Sequence, residues 1–112
     1  MAVNIRKLVS IDPRFSDKPQ AVKDYFYWNF IRRVAKNVNI VSASFQIVVL
    51  EGVDASPNNL LSGSASVEPD GKTVRQLLQN GVAGVLYEIT CTATTDEEED
   101  NTREFVTQLK VV

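Results

Sequence analysis

Histidine is missing from this chain, and cysteine occurs once, at Cys91. The first absence removes the commonest general base, the usual partner of a serine or cysteine nucleophile and the commonest metal ligand. Most hydrolase mechanisms are thereby excluded or made awkward, and no catalysis is expected. The second leaves no intrachain disulfide and no cysteine-built metal cluster, so a reducing interior suits the chain and neither cofactor nor metal is expected. No stretch, Ile47 to Leu50 included, approaches the ~18 apolar residues of a membrane span. The opening Met1–Pro13 is basic but too poor in apolar residues before Asp12 to read as a signal-peptide core.

What is present suits one domain. A length of 112 residues supports a single core, and with 44% hydrophobic and 23% charged residues the chain is expected to fold rather than stay disordered. The net charge of −2 hides an uneven distribution: residues 1–40 carry eight Lys/Arg against three Asp, and residues 41–112 carry four against eleven Asp/Glu. Ordinary solvated faces explain both sets; the sharper reading sets unlike ends of neighbouring copies against each other.

From Asp24 onward, short runs rich in β-branched and aromatic residues alternate with turn formers, the pattern of an antiparallel sandwich or barrel. Asp24–Phe30 reads as a strand with Phe26, Trp28 and Phe30 on one face; a helix over 21–37 is the rival, disfavoured by five bulky residues of low helix propensity. Ser42–Glu51 alternates Phe45, Ile47 and Val49 against Ser44 and Gln46, and 54–59 is a loop. Ser62–Glu68 and Thr73–Gln79 flank the turn Pro69-Asp70-Gly71. After Asn80-Gly81 and Gly84, the longest strand, Val85–Thr95, turns Val85, Tyr87, Ile89, Cys91 and Ala93 to the core. The last, Arg103–Val112, turns Phe105, Leu109 and Val111 inward, interrupted by Thr107. With Ile5–Ile11 the count is about seven, the expectation for an immunoglobulin-like antiparallel β-sandwich covering 23–112, with an extended N-terminal arm over 1–22. Tyr87, just after Gly84, stands where such folds place a tyrosine corner.

Few residues suggest chemistry. The run Asp96-Glu97-Glu98-Glu99-Asp100 lacks the spacing of a calcium loop and reads as a solvated hairpin tip. Adjacent acids on a flexible tip are not held across a cleft as glycosidase carboxylates are. Asn80–Gly84 has no Gly-Lys-Ser/Thr ending and reads as a turn rather than a phosphate loop. Arg32 and Arg33 with Lys36 could form a nucleic-acid patch, but a pI near 5 disfavours general phosphate binding, so no nucleic-acid partner is expected. The candidate partner-binding residues are Arg6, Lys7, Arg14, Arg32, Arg33, Glu97, Glu98 and Glu99. They include the basic arm, which has few large apolar residues after Ile11 with which to pack on its own domain.

The order Asp12-Pro13, Asp24-Tyr25 with the aromatic row to Phe30, Val38–Ser42, Asn80–Cys91, Thr94-Thr95 and the strand Phe105–Val112 resembles small immunoglobulin-like virion proteins of tailed bacteriophages, described as neck or fibre-tail adaptors. The outline covers about residues 12–112. It departs from that group in placing Tyr27 before Trp28 and Asp96–Asp100 where a glycine-containing hairpin is usual. The resemblance implies a non-enzymatic structural subunit at the portal, neck or tail, linking the head-tail connector to tail or fibre components. It implies other virion proteins (portal, adaptor, tail or fibre subunits) as partners, a homo-oligomeric ring, and a place in the virion after assembly in the host bacterial cytoplasm. A capsid decoration or cement protein and a carbohydrate-binding module are the alternatives, the second requiring aromatics exposed on a sheet face or loop.

Overall fold

The structure, a computed structural model, describes residues 14–112; the strand expected at Ile5–Ile11 lies outside them. Six strands follow in chain order: β1 (Asp24–Asn29), β2 (Ile40–Glu51), β3 (Leu61–Val67), β4 (Thr73–Leu78), β5 (Leu86–Thr95) and β6 (Thr102–Lys110). A single turn of 3₁₀ helix, Pro57–Leu60, leads into β3. The boundaries differ from those expected by one or two residues, as strand ends do.

Two antiparallel three-stranded sheets result, ordered β1-β4-β3 and β2-β5-β6. This is the immunoglobulin arrangement, in which strands B, E and D share one sheet and C, F and G the other. The rival helix over 21–37 is overturned at β1. Strand alternation buries Trp28 while Tyr25 and Tyr27 remain about half exposed, and turns follow from Ile31. A helix would have turned the aromatics around its axis instead of sorting them between two faces.

The core lies between the inner faces. Trp28, Phe30, Val74 and Leu78 meet Ile47, Tyr87, Ile89, Cys91, Ala93, Phe105 and Leu109, all buried. Phe26 and Phe45, on the same faces as Trp28 and Ile47, are partly buried and pack against its margin. Burial raises the Cys91 thiol to about 12, so it behaves as a small apolar side chain. Thr107 does not interrupt the inward pattern of β6. It is fully buried, accepts a hydrogen bond from the Trp28 indole Nε1–H at 3.2 Å, and lies 3.4 Å from the Ile89 carbonyl to which its hydroxyl donates. Gln76, also buried, donates its side-chain amide to the carbonyls of Ser62 and Gly63 and so satisfies the backbone where the β3–β4 register slips between Ser62 and Ser66.

The arm requires a correction. Residues 14–20 do not stand off the domain but lie parallel to β6, bridging Arg14 to Gln108 and Lys18 to Val111. Phe15, Lys18 and Gln20 donate backbone N–H groups to Gln108, Lys110 and Val112 at 2.8–3.0 Å, and Val112 donates back to Lys18. Phe15 is the apolar anchor, edge-on to Phe26 at 4.9 Å and to Trp28 at 5.2 Å between ring centroids. Lys18 is 2% exposed, and its ammonium donates to the backbone carbonyls of Asn80 at 2.8 Å, Pro19 at 3.1 Å and Gln20 at 3.4 Å. Burial lowers its pKa. The protonated amine holds its place through carbonyl dipoles, with no carboxylate pairing it among the described residues.

Tyr87 forms the expected corner. Its hydroxyl accepts from the Val82 N–H at 2.9 Å and donates to Asp54 Oδ2 at 2.7 Å, tying the loops after β2 and before β5 together. Burial, then the bond to Asp54, raises the phenol to about 12.

Two outcomes follow from this core. Trp28→Ala should lower unfolding free energy in urea by roughly 3–5 kcal/mol, the usual cost of deleting a buried large aromatic side chain; an unchanged midpoint would place the tryptophan outside the core. For Tyr87, the unfolded phenol loses its proton near 10 while the folded one holds it to about 12. The stability this group contributes is therefore complete below pH 10 and is lost as pH rises towards 12. Denaturation across that window should show a steeper decline for the parent chain than for Tyr87→Phe.

Candidate docking surfaces

Three loops meet at one end of the sandwich: 30–39 between β1 and β2, 68–72 between β3 and β4, and 96–101 between β5 and β6. Asp70 accepts from the N–H groups of Lys72 and Thr73 and from the Thr73 hydroxyl at 2.8–3.0 Å, and the Lys72 bond is the largest of the effects that lower its pKa. Gly71 follows at φ +69, with Asn39 Oδ1 only 2.5 Å from where a Cβ would stand. Only glycine satisfies both the backbone angle and the close approach.

Hydrogen bonds then join loop to loop. Phe30 N–H donates to Lys72 O at 2.7 Å and Ile40 N–H to Gly71 O at 2.9 Å. Lys72 Nζ donates into the carbonyls of Ala35, Lys36 and Val38. Asn39 and Asp96 bind each other twice, Asn39 N–H to Asp96 Oδ1 at 3.1 Å and Asp96 N–H to Asn39 O at 2.9 Å. Arg103 donates Nε to Arg33 O at 3.0 Å and Nη2 to Glu97 Oε1 at 2.9 Å, and Nη1 reaches the Asp100 carbonyl. Backbone groups that would otherwise demand water are thus paired between loops, which rigidifies the whole end.

Five of the eight nominated residues come together here, in different roles. Arg33 is engaged internally: its guanidinium lies 3.9 Å over the Phe105 ring, Nε donates to Glu104 O at 3.4 Å, and burial lowers its pKa. Glu97 pairs with Arg103 and accepts from Thr95 Oγ1 at 2.9 Å, so the acidic run is not a uniformly solvated tip. Arg32, Glu98 and Glu99 are exposed, as are Ile31 at 62% and Val41 at 59%. Among the described residues no ion pair engages them. Arg14 is elsewhere, level with Gln108 and 3.6 Å from Asp17. Arg6 and Lys7 lie outside the described residues. No three acidic or thiol side chains converge on a common point among the described residues. In that part of the chain no helix is long and apolar enough to cross a membrane.

A second surface was not nominated, although the alternation that buries Trp28 implies it. On the outer face of β1-β4-β3, Tyr25 and Tyr27 stand 45% and 49% exposed. Register sets Tyr27 beside Arg75, with Ser66 on the far side of Arg75, and Tyr25 beside Leu77, with Ser62 on the far side of Leu77. The Arg75 guanidinium lies 4.4 Å over the Tyr25 ring, and its Nε is buried with no hydrogen-bond partner among the described residues, 4.0 Å from Glu68 Oε2. Tyrosine and arginine are the residues on which interface energy concentrates.

Comparison of the chain with protein-family models, with curated proteins and with solved structures found no match.

Arg103 is the joint of the three-loop end, so Arg103→Ala should speed amide exchange at Asn39, Thr95 and Asp96 while changing global stability by no more than about 1 kcal/mol, the scale of partly exposed pairs. Exchange unchanged at those amides would show that the loops hold without it.

Proposed function

We propose that this chain is a non-enzymatic docking subunit of a tailed-phage virion, an adaptor at the portal, neck or tail that links the head-tail connector to tail or fibre components. The observation that carries a docking role is the three-loop end: loops cross-linked to one another, at which Arg32, Glu98 and Glu99 are exposed and Ile31 and Val41 stand 62% and 59% exposed. Exposed apolar side chains together with charges of both signs suit a protein surface, since the apolar part supplies burial and the charges select orientation. The virion setting rests on the sequence outline from Asp12 to Val112. The immunoglobulin strand order and the tyrosine corner at Tyr87 fit that outline.

A ring remains part of this proposal, with head-to-tail contacts between unlike patches closing when the rotation between copies allows. The portion of the arm free to reach a neighbour is shorter than 1–22, because residues 14–20 complete the chain's own sheet edge. One specific observation favours a second reading: the half-exposed Tyr25 and Tyr27 on a sheet face are what a carbohydrate-binding module requires.

The test is made in particles. Phage assembled with Arg32→Glu together with Glu98→Lys and Glu99→Lys should lack the subunit or the component beyond it, while the purified variant unfolds as the parent does. Normal incorporation and normal particles would reject the three-loop end as the docking surface. Density for the chain in an electron-microscopy map should occupy a single ring at the neck or tail; hundreds of copies over the shell would make it a decoration protein. Loss of glycan binding on Tyr25→Ala/Tyr27→Ala, where the parent binds host-surface glycans, would establish the second reading.

A further inference from the structure

The sandwich has edges, and they are not equally protected. Along β6 the edge is covered by residues 14–20. On β1, the outward Tyr25 N–H is taken by Asp24 Oδ1 at 2.8 Å. The β3 strand is broken by its register slip between Ser62 and Ser66. That leaves β2, an edge strand with β5 as its single neighbour in the sheet order, twelve residues long, with no proline, lysine or arginine and a single charge at its last residue, Glu51. Edge strands usually carry such devices because their unpaired backbone groups recruit other strands.

The ladder shows which groups are free. Val111 N–H bonds Val85 O, and Thr95 N–H bonds Asn101 O, so the odd-numbered residues of β5 turn their backbone groups to β6. Its even-numbered residues turn to β2, where the pairs Ser44 with Thr92, Gln46 with Thr90 and Val48 with Glu88 place the even-numbered residues of β2. Ala43, Phe45, Ile47 and Val49 therefore direct their N–H and C=O groups outward along the open edge. None of these groups bonds a backbone partner outside the strand ladders among the described residues.

We propose that β2 is a self-pairing edge, on which a second copy of this chain adds its own β2 antiparallel about a two-fold axis through Gln46. This register sets Phe45 against Ile47 of the second copy and Ala43 against Val49, so all four outward residues of each copy exchange both of their hydrogen bonds. The other pairs set Ser44 against Val48, Ser42 against Leu50 and Gln46 against itself. Val48 and Leu50, 39% and 42% exposed in one copy, gain a neighbour, and no charged residue faces another of its sign. The two three-stranded sheets become one six-stranded sheet in the order β6-β5-β2-β2-β5-β6. An isologous contact of this kind closes on itself and leaves the three-loop end of each copy free. It stands independently of the virion proposal.

Gln46 is exposed and its position on the axis makes it the probe. The full chain, followed by sedimentation equilibrium over rising concentration, should pass from 12.4 kDa to twice that mass. Gln46→Lys and Gln46→Glu each set two like charges opposite one another, and each should weaken association at least tenfold. An equimolar mixture of the two should restore it as a heterodimer, because the facing charges are then unlike. In the dimer, amide exchange at Ala43, Phe45, Ile47 and Val49 should slow with concentration. A parent chain that stays monomeric to millimolar concentration overturns the proposal, as does a dimer indifferent to both substitutions, or one that the mixture fails to restore.

Discussion

The hydrogen bond from the Trp28 indole to the Thr107 hydroxyl crosses the middle of the sandwich, and the remaining packing is arranged about it. An indole is the largest apolar body the chain can bury, but it carries an N–H that has to be satisfied away from water. Thr107 supplies the acceptor from the opposite sheet at 3.2 Å and passes its own proton to the Ile89 carbonyl on the neighbouring strand. The donor, acceptor and carbonyl thus link β1, β6 and β5. Around this polar thread Phe15, Phe26 and Phe45 take edge-on positions, which fixes the depth of β1, the placement of the arm and the inner margin of β2.

The two ends are secured by a different kind of chemistry. Away from the three loops, the Tyr87 hydroxyl and the Lys18 ammonium tie loops and arm to backbone and carboxylate acceptors. At the loop end Lys72 and Arg103 play a similar part, donating chiefly to carbonyls of neighbouring loops. Several basic side chains in this molecule therefore act as cross-links rather than as displayed charge. The charges left for a partner are fewer than the composition suggests; at the three-loop end they include Arg32, Glu98 and Glu99, with Ile31 and Val41 also exposed.

Much of the sheet architecture was legible because alternation is a strong constraint where one face is buried. Along β5 every residue assigned to the core, from Val85 to Ala93 by twos, is buried, and Gly84 preceding Tyr87 announced the corner. Thr107 was misjudged because its polarity hid an inward position; the clue was Trp28, whose N–H needs a partner somewhere in the core. Lys18 offered no comparable clue. Its acceptors include Asn80, 62 residues away, and a carbonyl acceptor leaves no trace in the sequence because every residue has one. The arm was misread because Phe15, a single aromatic, was set against two prolines and several charges, although its ring packs on Trp28 and Phe26 while the backbone of 15–20 bonds to β6 and its continuation. In the acidic run, the pairing of Glu97 with Arg103 depended on how the hairpin closes, with Asp100 at φ +52, which no count of charges reveals.

The claim that Trp28 and Thr107 act as one unit is tested most directly by a double-mutant cycle of Trp28→Phe and Thr107→Val, each measured by urea unfolding. Removal of the hydroxyl alone leaves a buried N–H unsatisfied and should cost about 1–3 kcal/mol. In the Trp28→Phe background that N–H is absent, so the same substitution should cost at least ~1 kcal/mol less, a coupling well beyond the ~0.3–0.5 kcal/mol scatter of independent sites. Additive costs within that scatter would contradict the account and leave the sheets held by apolar burial alone.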